Sequence, residues 1–63
     1  MKLPQFNVIV HFRNGDPSYT ARGITRMVGF DTEFDNTNTL RLMDYLGDMR
    51  IYGDVDYYEV VLP

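Results

Sequence analysis

The sequence contains no cysteine and no tryptophan, and it has only one histidine, His11, and one serine, Ser18. Without cysteine the chain forms no disulfide and offers no thiolate to a metal ion, so its stability must come from a hydrophobic core or from a partner. This composition suits a reducing compartment, and we expect a cytoplasmic protein. A serine–histidine nucleophile could be built only from these two residues, and we therefore expect no enzyme.

Long apolar runs are also missing. No segment approaches the roughly 18 consecutive apolar residues that span a membrane, and residues 1–4 lack the apolar core of a signal peptide. The phosphate-binding patterns G-x-x-x-x-G-K and G-x-G-x-x-G are absent. The 63 residues suffice for a single domain over residues 1–63, whose stability we expect to be marginal. These absences favour a binding protein.

The charges are distributed unevenly along the chain, which has a net charge of −3. Residues 1–30 contain four basic residues and one acidic residue, whereas residues 31–63 contain two basic and eight acidic residues. Such asymmetry indicates a charged partner. The alternative is that opposite charges lie near each other in the fold and cancel.

Two strands are predicted in the first half of the chain. Residues 5–13 alternate apolar and polar side chains, and the face that we expect to be buried carries Phe6, Val8, Val10 and Phe12. Asn14-Gly15-Asp16-Pro17 ends this strand. In the second strand, residues 19–30, the parity of the apolar positions changes at Gly23. A β-bulge at Arg22-Gly23 would bring the apolar residues to one face, namely Tyr19, Ala21, Ile24, Val28 and Phe30.

From Thr39 the apolar pattern takes the period of a helix. One face of this helix would carry Leu42, Met43, Tyr45, Leu46 and Met49. The opposite face would carry Arg41, Asp44 and Asp48. Thr37 or Asn38 would serve as the N-cap, and Gly47 marks an alternative, earlier end.

A third strand is predicted over Val55–Leu62, so the element order is ββαβ. The expected fold class is α+β, with a three-stranded antiparallel sheet covered on one face by a single helix. The last strand could pair beside the first strand or beside the second. We favour the first strand as the central one, because it is the most apolar.

The candidate partner-binding residues are acids in and around the predicted helix and two adjacent tyrosines: Asp31, Glu33, Asp35, Asp44, Asp48, Asp54, Asp56, Tyr57 and Tyr58. Repeated carboxylates on a rigid scaffold imitate a phosphate backbone or steer a basic protein. Adjacent tyrosines on a strand point to opposite faces, so one of them lies on uncovered sheet, where Ile9 would join it. The alternative is that the acids only keep the protein soluble.

The spacing Asp31-x-Glu33-x-Asp35 imitates the start of a calcium-binding loop. Asn36 and Leu42, however, stand where such a loop needs its glycine and its bidentate glutamate. We therefore interpret these acids as a loop that precedes a helix N-terminus, and we expect neither a metal site nor a cofactor.

We predict a small non-enzymatic protein–protein interaction module. By analogy with small acidic proteins, many of them phage-encoded, it would be an inhibitor or modulator. The expected partner is another protein with a basic surface, or a second copy in a homodimer. One alternative is a single-stranded nucleic-acid-binding domain in which the basic N-terminal half binds through Arg13, Arg22, Arg26 and His11. The negative net charge opposes this alternative. Another is a structural subunit that is stable only as an oligomer.

Overall fold

The computed structural model describes residues 4–32 and 38–62, which form one five-stranded antiparallel sheet. The strands are β1 (Phe6–Phe12), β2 (Tyr19–Asp31), β3 (Thr39–Asp44), β4 (Met49–Tyr52) and β5 (Val55–Val61). Their order across the sheet is β4-β3-β2-β1-β5. The described ranges contain no helix, so the predicted α+β fold with a covering helix is wrong, and no membrane-spanning helix is found in them.

The segment predicted to be a helix is instead the β3–β4 hairpin. Leu40 and Leu42 are buried, and so is Asp44, which is the two-residue period of a strand. A turn over residues 45–48 follows, in which Gly47 has a φ of +82°. A short apolar run satisfies helix and strand periods alike. The turn decides between them, because aspartate and glycine favour turns over helix interiors.

β2 is shared by the two halves of the sheet. Its first half pairs with β1 and its second half pairs with β3, and Ile24 takes part in both pairings. The pairs Phe6–Ile24 and Val8–Ala21 leave one extra residue in β2, which confirms the predicted bulge at Arg22-Gly23. Gly23 has a φ of +70°, a conformation that glycine adopts without steric cost.

Later in β2 the predicted faces are partly wrong. Two further irregularities interrupt its pairing with β3, and they place Val28 on the surface while Met27 packs against the core. Arg26 is exposed, so its charged head lies in water.

The sheet is strongly curled. β4 and β5 are its opposite edges, yet only Gly53 and Asp54 separate them in the chain. Four strand spacings span roughly 19 Å in a flat sheet, whereas the three Cα steps from Tyr52 to Val55 span at most roughly 11 Å. The sheet must therefore bend so that its two halves enclose the core.

The core consists of seven fully buried residues drawn from all strands except β4: Val8, Val10, Ala21, Ile24, Leu40, Leu42 and Val55. Phe6, Phe12, Met27, Phe30 and Tyr52 pack around them. The predicted inner face of β1 is confirmed. β1 lies between β2 and β5, so the last strand pairs beside the first as expected, but the central strand of the five-stranded sheet is β2 and not β1.

Candidate interaction surface

β5 lies at an edge of the sheet and pairs only with β1 within the described part of the chain. Residues directly opposite each other in an antiparallel pair share a face. Tyr58 and Val60 lie opposite the buried residues Val10 and Val8, so they belong to the inner face. Tyr57, Glu59 and Val61 therefore belong to the outer face.

The residues of β5 are exposed on both faces. After the buried Val55, all residues of β5 from Asp56 to Val61 are exposed, and Leu62 is 74% exposed. We call the apolar residues of this edge the β5 strip, which consists of Tyr57, Tyr58, Val60, Val61 and Leu62. An edge strand also presents unpaired backbone N–H and C=O groups.

The beginning of β5 is held in place by a hydrogen-bond clamp. The backbone N–H of Val55 donates to the carbonyl of Asn38 (3.0 Å), and the Asn38 side chain donates back to the Val55 carbonyl (2.8 Å). Arg13 donates its backbone N–H to the carbonyl of Asp54 (3.0 Å) and its Nε to the carboxylate of Asp54 (2.9 Å). A pairing irregularity then follows opposite His11 and Phe12. The exposed residues of β5 therefore follow a segment, Asp54 and Val55, that these hydrogen bonds hold in place.

On the outer face, Tyr57 stacks on His11 with a ring-centroid distance of 4.2 Å and an interplanar angle of 12°. His11 Nε2 is hydrogen-bonded to Glu59 at 3.1 Å. Ile9 lies opposite Glu59 on the same uncovered face, as expected. His11 makes no hydrogen bond to Ser18 in the described structure, so these two residues do not form a nucleophilic pair there.

On the inner face, Tyr58 contacts Phe30 edge to face, with ring centroids 5.6 Å apart and an interplanar angle of 85°. Tyr58 is nevertheless 36% exposed and Val60 is 46% exposed. Both predicted tyrosines therefore contribute to the surface, although only one was expected on uncovered sheet.

Asp44, which was predicted to lie on an exposed helix face, is only 2% exposed. Its carboxylate accepts hydrogen bonds from the backbone N–H groups of Leu46 (3.0 Å) and Asp48 (2.9 Å) and from Nε of Arg50 (2.9 Å). The assignment of Asp44 to the binding surface is therefore wrong. It closes the β3–β4 turn, because the side chain satisfies backbone donors that the turn leaves unpaired.

The same contacts change the acidity of Asp44. The backbone N–H of Asp48 holds the pKa of this carboxyl below its ordinary value of 3.8, with help from Arg50 and the N–H of Leu46, while desolvation opposes the shift. In return, the hydrogen bond to Asp44, together with one to Tyr52, raises the pKa of Arg50. Asp44 is thus an ionised structural group at neutral pH.

The other predicted acids are distributed over several elements. Asp31, at the end of β2, pairs with Arg41, and Asp54 pairs with Arg13. Asp48 and Asp56 are exposed. Glu33 and Asp35 lie outside the described residues, as does Thr37, one of the two predicted caps. The ion pairs support the alternative in which opposite charges cancel, and residues 4–32 and 38–62 contain no helix that could organise the acids into one surface.

Three of the five arginines in the described ranges pair with aspartates: Arg13, Arg41 and Arg50. Arg22 and Arg26 are exposed and form no ion pair with another described residue. Only part of the basic N-terminal half is therefore available to phosphates, and this weakens the nucleic-acid interpretation.

No group of three or more metal-ligating side chains occurs in residues 4–32 and 38–62. Two of the three carboxylates of Asp31-x-Glu33-x-Asp35 fall outside these ranges, so the structure does not test that sequence as a unit.

A second group of exposed apolar residues lies at the β3–β4 hairpin. It consists of Tyr45, Leu46, Met49 and Ile51, which we call the hairpin patch. Its edge strand β4 has four residues, and Arg50 lies among them. The hairpin patch is therefore shorter and more interrupted than the β5 strip.

The sequence analysis named Tyr57 and Tyr58 but not Val60, Val61 and Leu62. The signal that could have found them is the presence of apolar residues at both parities of the last strand. Such a strand must be covered on both faces or remain exposed, and a single helix covers only one face.

Comparisons of the chain with protein-family models, with curated proteins and with solved structures gave no match.

Proposed function

We propose that this protein is a non-enzymatic interaction module that binds an extended protein segment by adding it as a strand beside β5. The observation that carries the proposal is the run of exposed residues from Asp56 to Val61 on an edge strand whose outer side has no partner in the described structure. In strand addition, main-chain hydrogen bonds supply affinity and alternate side chains supply specificity.

The β5 strip supplies both components. Its backbone edge is unpaired within the described residues, and its apolar side chains line both faces, so an added strand gains contacts above and below the sheet. Tyrosine is among the residues that dominate interface energies. Because Tyr57 is stacked on His11 and Tyr58 contacts Phe30, both rings are positioned before a partner arrives, which reduces the entropy cost of binding.

The acids have a smaller role in this proposal than in the sequence-based prediction. Asp56 and Glu59 are exposed on β5 itself and would adjust the choice of partner, whereas Asp44 contributes only to the fold. The cysteine-free composition suits action in the cytoplasm, which is part of the same proposal.

The proposal is tested by selecting binders from a random peptide library displayed in extended form. The site of each selected peptide is then mapped from the amide chemical shifts of the isotope-labelled protein. We expect the changes to concentrate on residues 56–62. Val60→Lys places a charged head among the apolar side chains and should weaken peptide binding by at least about tenfold.

The matched control is Ile51→Lys, which introduces the same charge on the opposite edge strand at a residue that is 61% exposed. Binding by this variant should stay within about twofold of the unmodified protein. Peptides that map to the hairpin patch, or that bind Val60→Lys unchanged, would show that β5 is not the binding edge.

A further inference from the structure

We infer that the segment that pairs with β5 is β5 of a second copy of this chain. The two strands would run antiparallel about a two-fold axis and join two five-stranded sheets into one continuous sheet of ten strands. This inference rests on the proposed function, because it uses the same edge, and it names the partner.

β5 has few of the features that keep other edge strands from pairing. Natural edges are protected by lysine, by proline, by short length or by charges within the strand. β5 contains no lysine, arginine or proline. Its two charged residues are Asp56, at the start of the strand, and Glu59, which is hydrogen-bonded to His11 on the outer face. β4, at the other edge, is short and carries Arg50. Every folded copy therefore exposes one long pairing edge, and another copy is always present.

β5 is also complementary to itself in a suitable register. An antiparallel pair centred on Glu59 would place two carboxylates opposite each other, which is unfavourable. A pair centred on Val60 places Val60 opposite its own copy, Tyr58 opposite Leu62, and Glu59 opposite Val61. No like charges are then opposite each other, and Leu62, the most exposed residue of the β5 strip, becomes covered.

The exposed surface of the β5 strip is large enough for a weak dimer. The five residues of the β5 strip are on average about half exposed. With at most roughly 200 Å² for each residue, and if pairing covered all of the exposed part, it would bury at most on the order of 500 Å² per copy and 1,000 Å² in total. This area lies at the lower limit for specific interfaces. We therefore expect a dimer with a dissociation constant in the micromolar range.

The charge of the chain distinguishes a second copy from a basic partner. Each copy has a net charge of −3. Two copies repel each other at long range, and salt screens that repulsion, so dimerisation should strengthen as salt is raised. Binding of a basic protein or peptide should weaken under the same change.

The experiment is sedimentation equilibrium of the full chain from about 1 to 500 µM at low and moderate salt. The average mass should rise with protein concentration from the monomer value of 7.4 kDa towards twice that value. In higher salt this rise should begin at a lower protein concentration. Val60→Lys should stay monomeric across the range, whereas the control Ile51→Lys should still dimerise.

A charge-swap mixture tests the register. Val60→Lys and Val60→Glu should each be monomeric alone, because the register centred on Val60 places like charges opposite each other. An equimolar mixture should form a one-to-one dimer, because lysine then faces glutamate. Circular dichroism checks that each variant is folded, and Leu62→Lys replaces Val60→Lys in the sedimentation experiment if that variant loses its strand spectrum.

The outcomes separate this inference from the proposed function. A chain that stays monomeric at 500 µM but binds selected peptides at residues 56–62 would overturn the dimer and leave strand addition intact. Dimerisation that survives Val60→Lys and disappears in Ile51→Lys would assign self-association to the hairpin patch. Assemblies that grow beyond two copies would contradict the closed two-fold arrangement.

Discussion

β1 and β5 are adjacent strands of seven residues each, but no residue of β1 is exposed, whereas every residue of β5 after Val55 is. Val8 and Val10 of β1 are fully buried, whereas the residues opposite them, Val60 and Tyr58, are 46% and 36% exposed. Apart from Ile9, β1 carries apolar side chains at alternate positions, whereas β5 carries them at both parities. The comparison shows that an apolar strand pattern identifies a strand, while the number of neighbouring elements determines how much of it is buried.

The neighbours of β1 explain the difference. β1 has a strand on each side, and the curled sheet brings Leu40 and Leu42 of β3 into the same core. Within the described residues β5 has a strand on one side only, and on its inner face the ring of Tyr58 contacts Phe30 edge to face. Burial of a whole valine side chain contributes about 1.5–3 kcal/mol, and partial burial contributes proportionately less.

The largest effect should come from Val10→Ala. Removing two methyl groups from a fully buried site costs transfer free energy and leaves a cavity, so we expect a loss of about 2–3 kcal/mol in the free energy of unfolding. Urea unfolding followed by circular dichroism measures this value. A loss below about 0.5 kcal/mol would mean that β1 does not form the core.

A second test disturbs the bulge at Gly23, where β2 bends so that the sheet can enclose the core that contains β1. Gly23→Ala should destabilise the protein by about 1–2 kcal/mol, because alanine is unfavourable at a φ of +70°. The new Cβ would also lie 2.9 Å from the ring of Tyr45, although this exposed ring can turn away.

Gly29→Ala is the control for Gly23→Ala on the same strand. A Cβ at Gly29 meets nothing within 4 Å and its φ is not left-handed, so this variant should be neutral or slightly more stable. Equal losses at the two glycines would show that the bulge is not what shapes β2.

A third test loosens the β3–β4 hairpin, whose Leu40 and Leu42 share the core with β1, and leaves β5 in place. Asp44→Asn should lower the melting temperature by roughly 5 °C at pH 7, because the ionised acceptor for Asp48, Leu46 and Arg50 is lost. Amide exchange should quicken in β3 and β1 more than in β5. Asp48→Asn, which changes an exposed acid of the same turn, should have little effect.

The effect of Asp44→Asn should depend on pH. Because folding lowers the pKa of Asp44, the unfolded state binds its proton more tightly than the folded state. The stabilisation is therefore complete well above pH 3.8 and is lost as the pH falls through the lower pKa of the folded state. The difference between the two proteins should shrink in that acidic range, and a constant difference from pH 7 to pH 2 would contradict the role of the ionised carboxylate.

The smallest effect should come from Val60→Ala. Val60 lies opposite Val8 but is nearly half exposed, so we expect a loss of less than about 1 kcal/mol when the protein is dilute. A loss equal to that of Val10→Ala would remove the contrast between the two strands. At high protein concentration, the loss in the free energy of unfolding should be larger if Val60 also lies in the dimer contact.

The sequence analysis was most accurate where the signal was local. The alternation of Phe6, Val8, Val10 and Phe12 identified β1 and its inner face, and the parity change at Gly23 identified the bulge. The prediction was wrong for residues 39–49, because Leu42, Met43, Tyr45, Leu46 and Met49 satisfy the helical period in a run too short to exclude a hairpin. The contacts of Asp44 with Leu46, Asp48 and Arg50 are made only once the turn has formed.

The sequence by itself determined the strand segments of β1 and β5, the bend of β2 at Gly23 and the absence of disulfides, since each depends on side-chain alternation, backbone freedom or composition. Only the tertiary structure decided that Asp44 is buried, that three arginines pair with aspartates and that β5 is an exposed edge. The physical reason is that burial and ion pairing depend on which elements become neighbours in space. In this chain, the two residues between β4 and β5 force the sheet to curl, and the curl covers β1 while it leaves β5 at the edge.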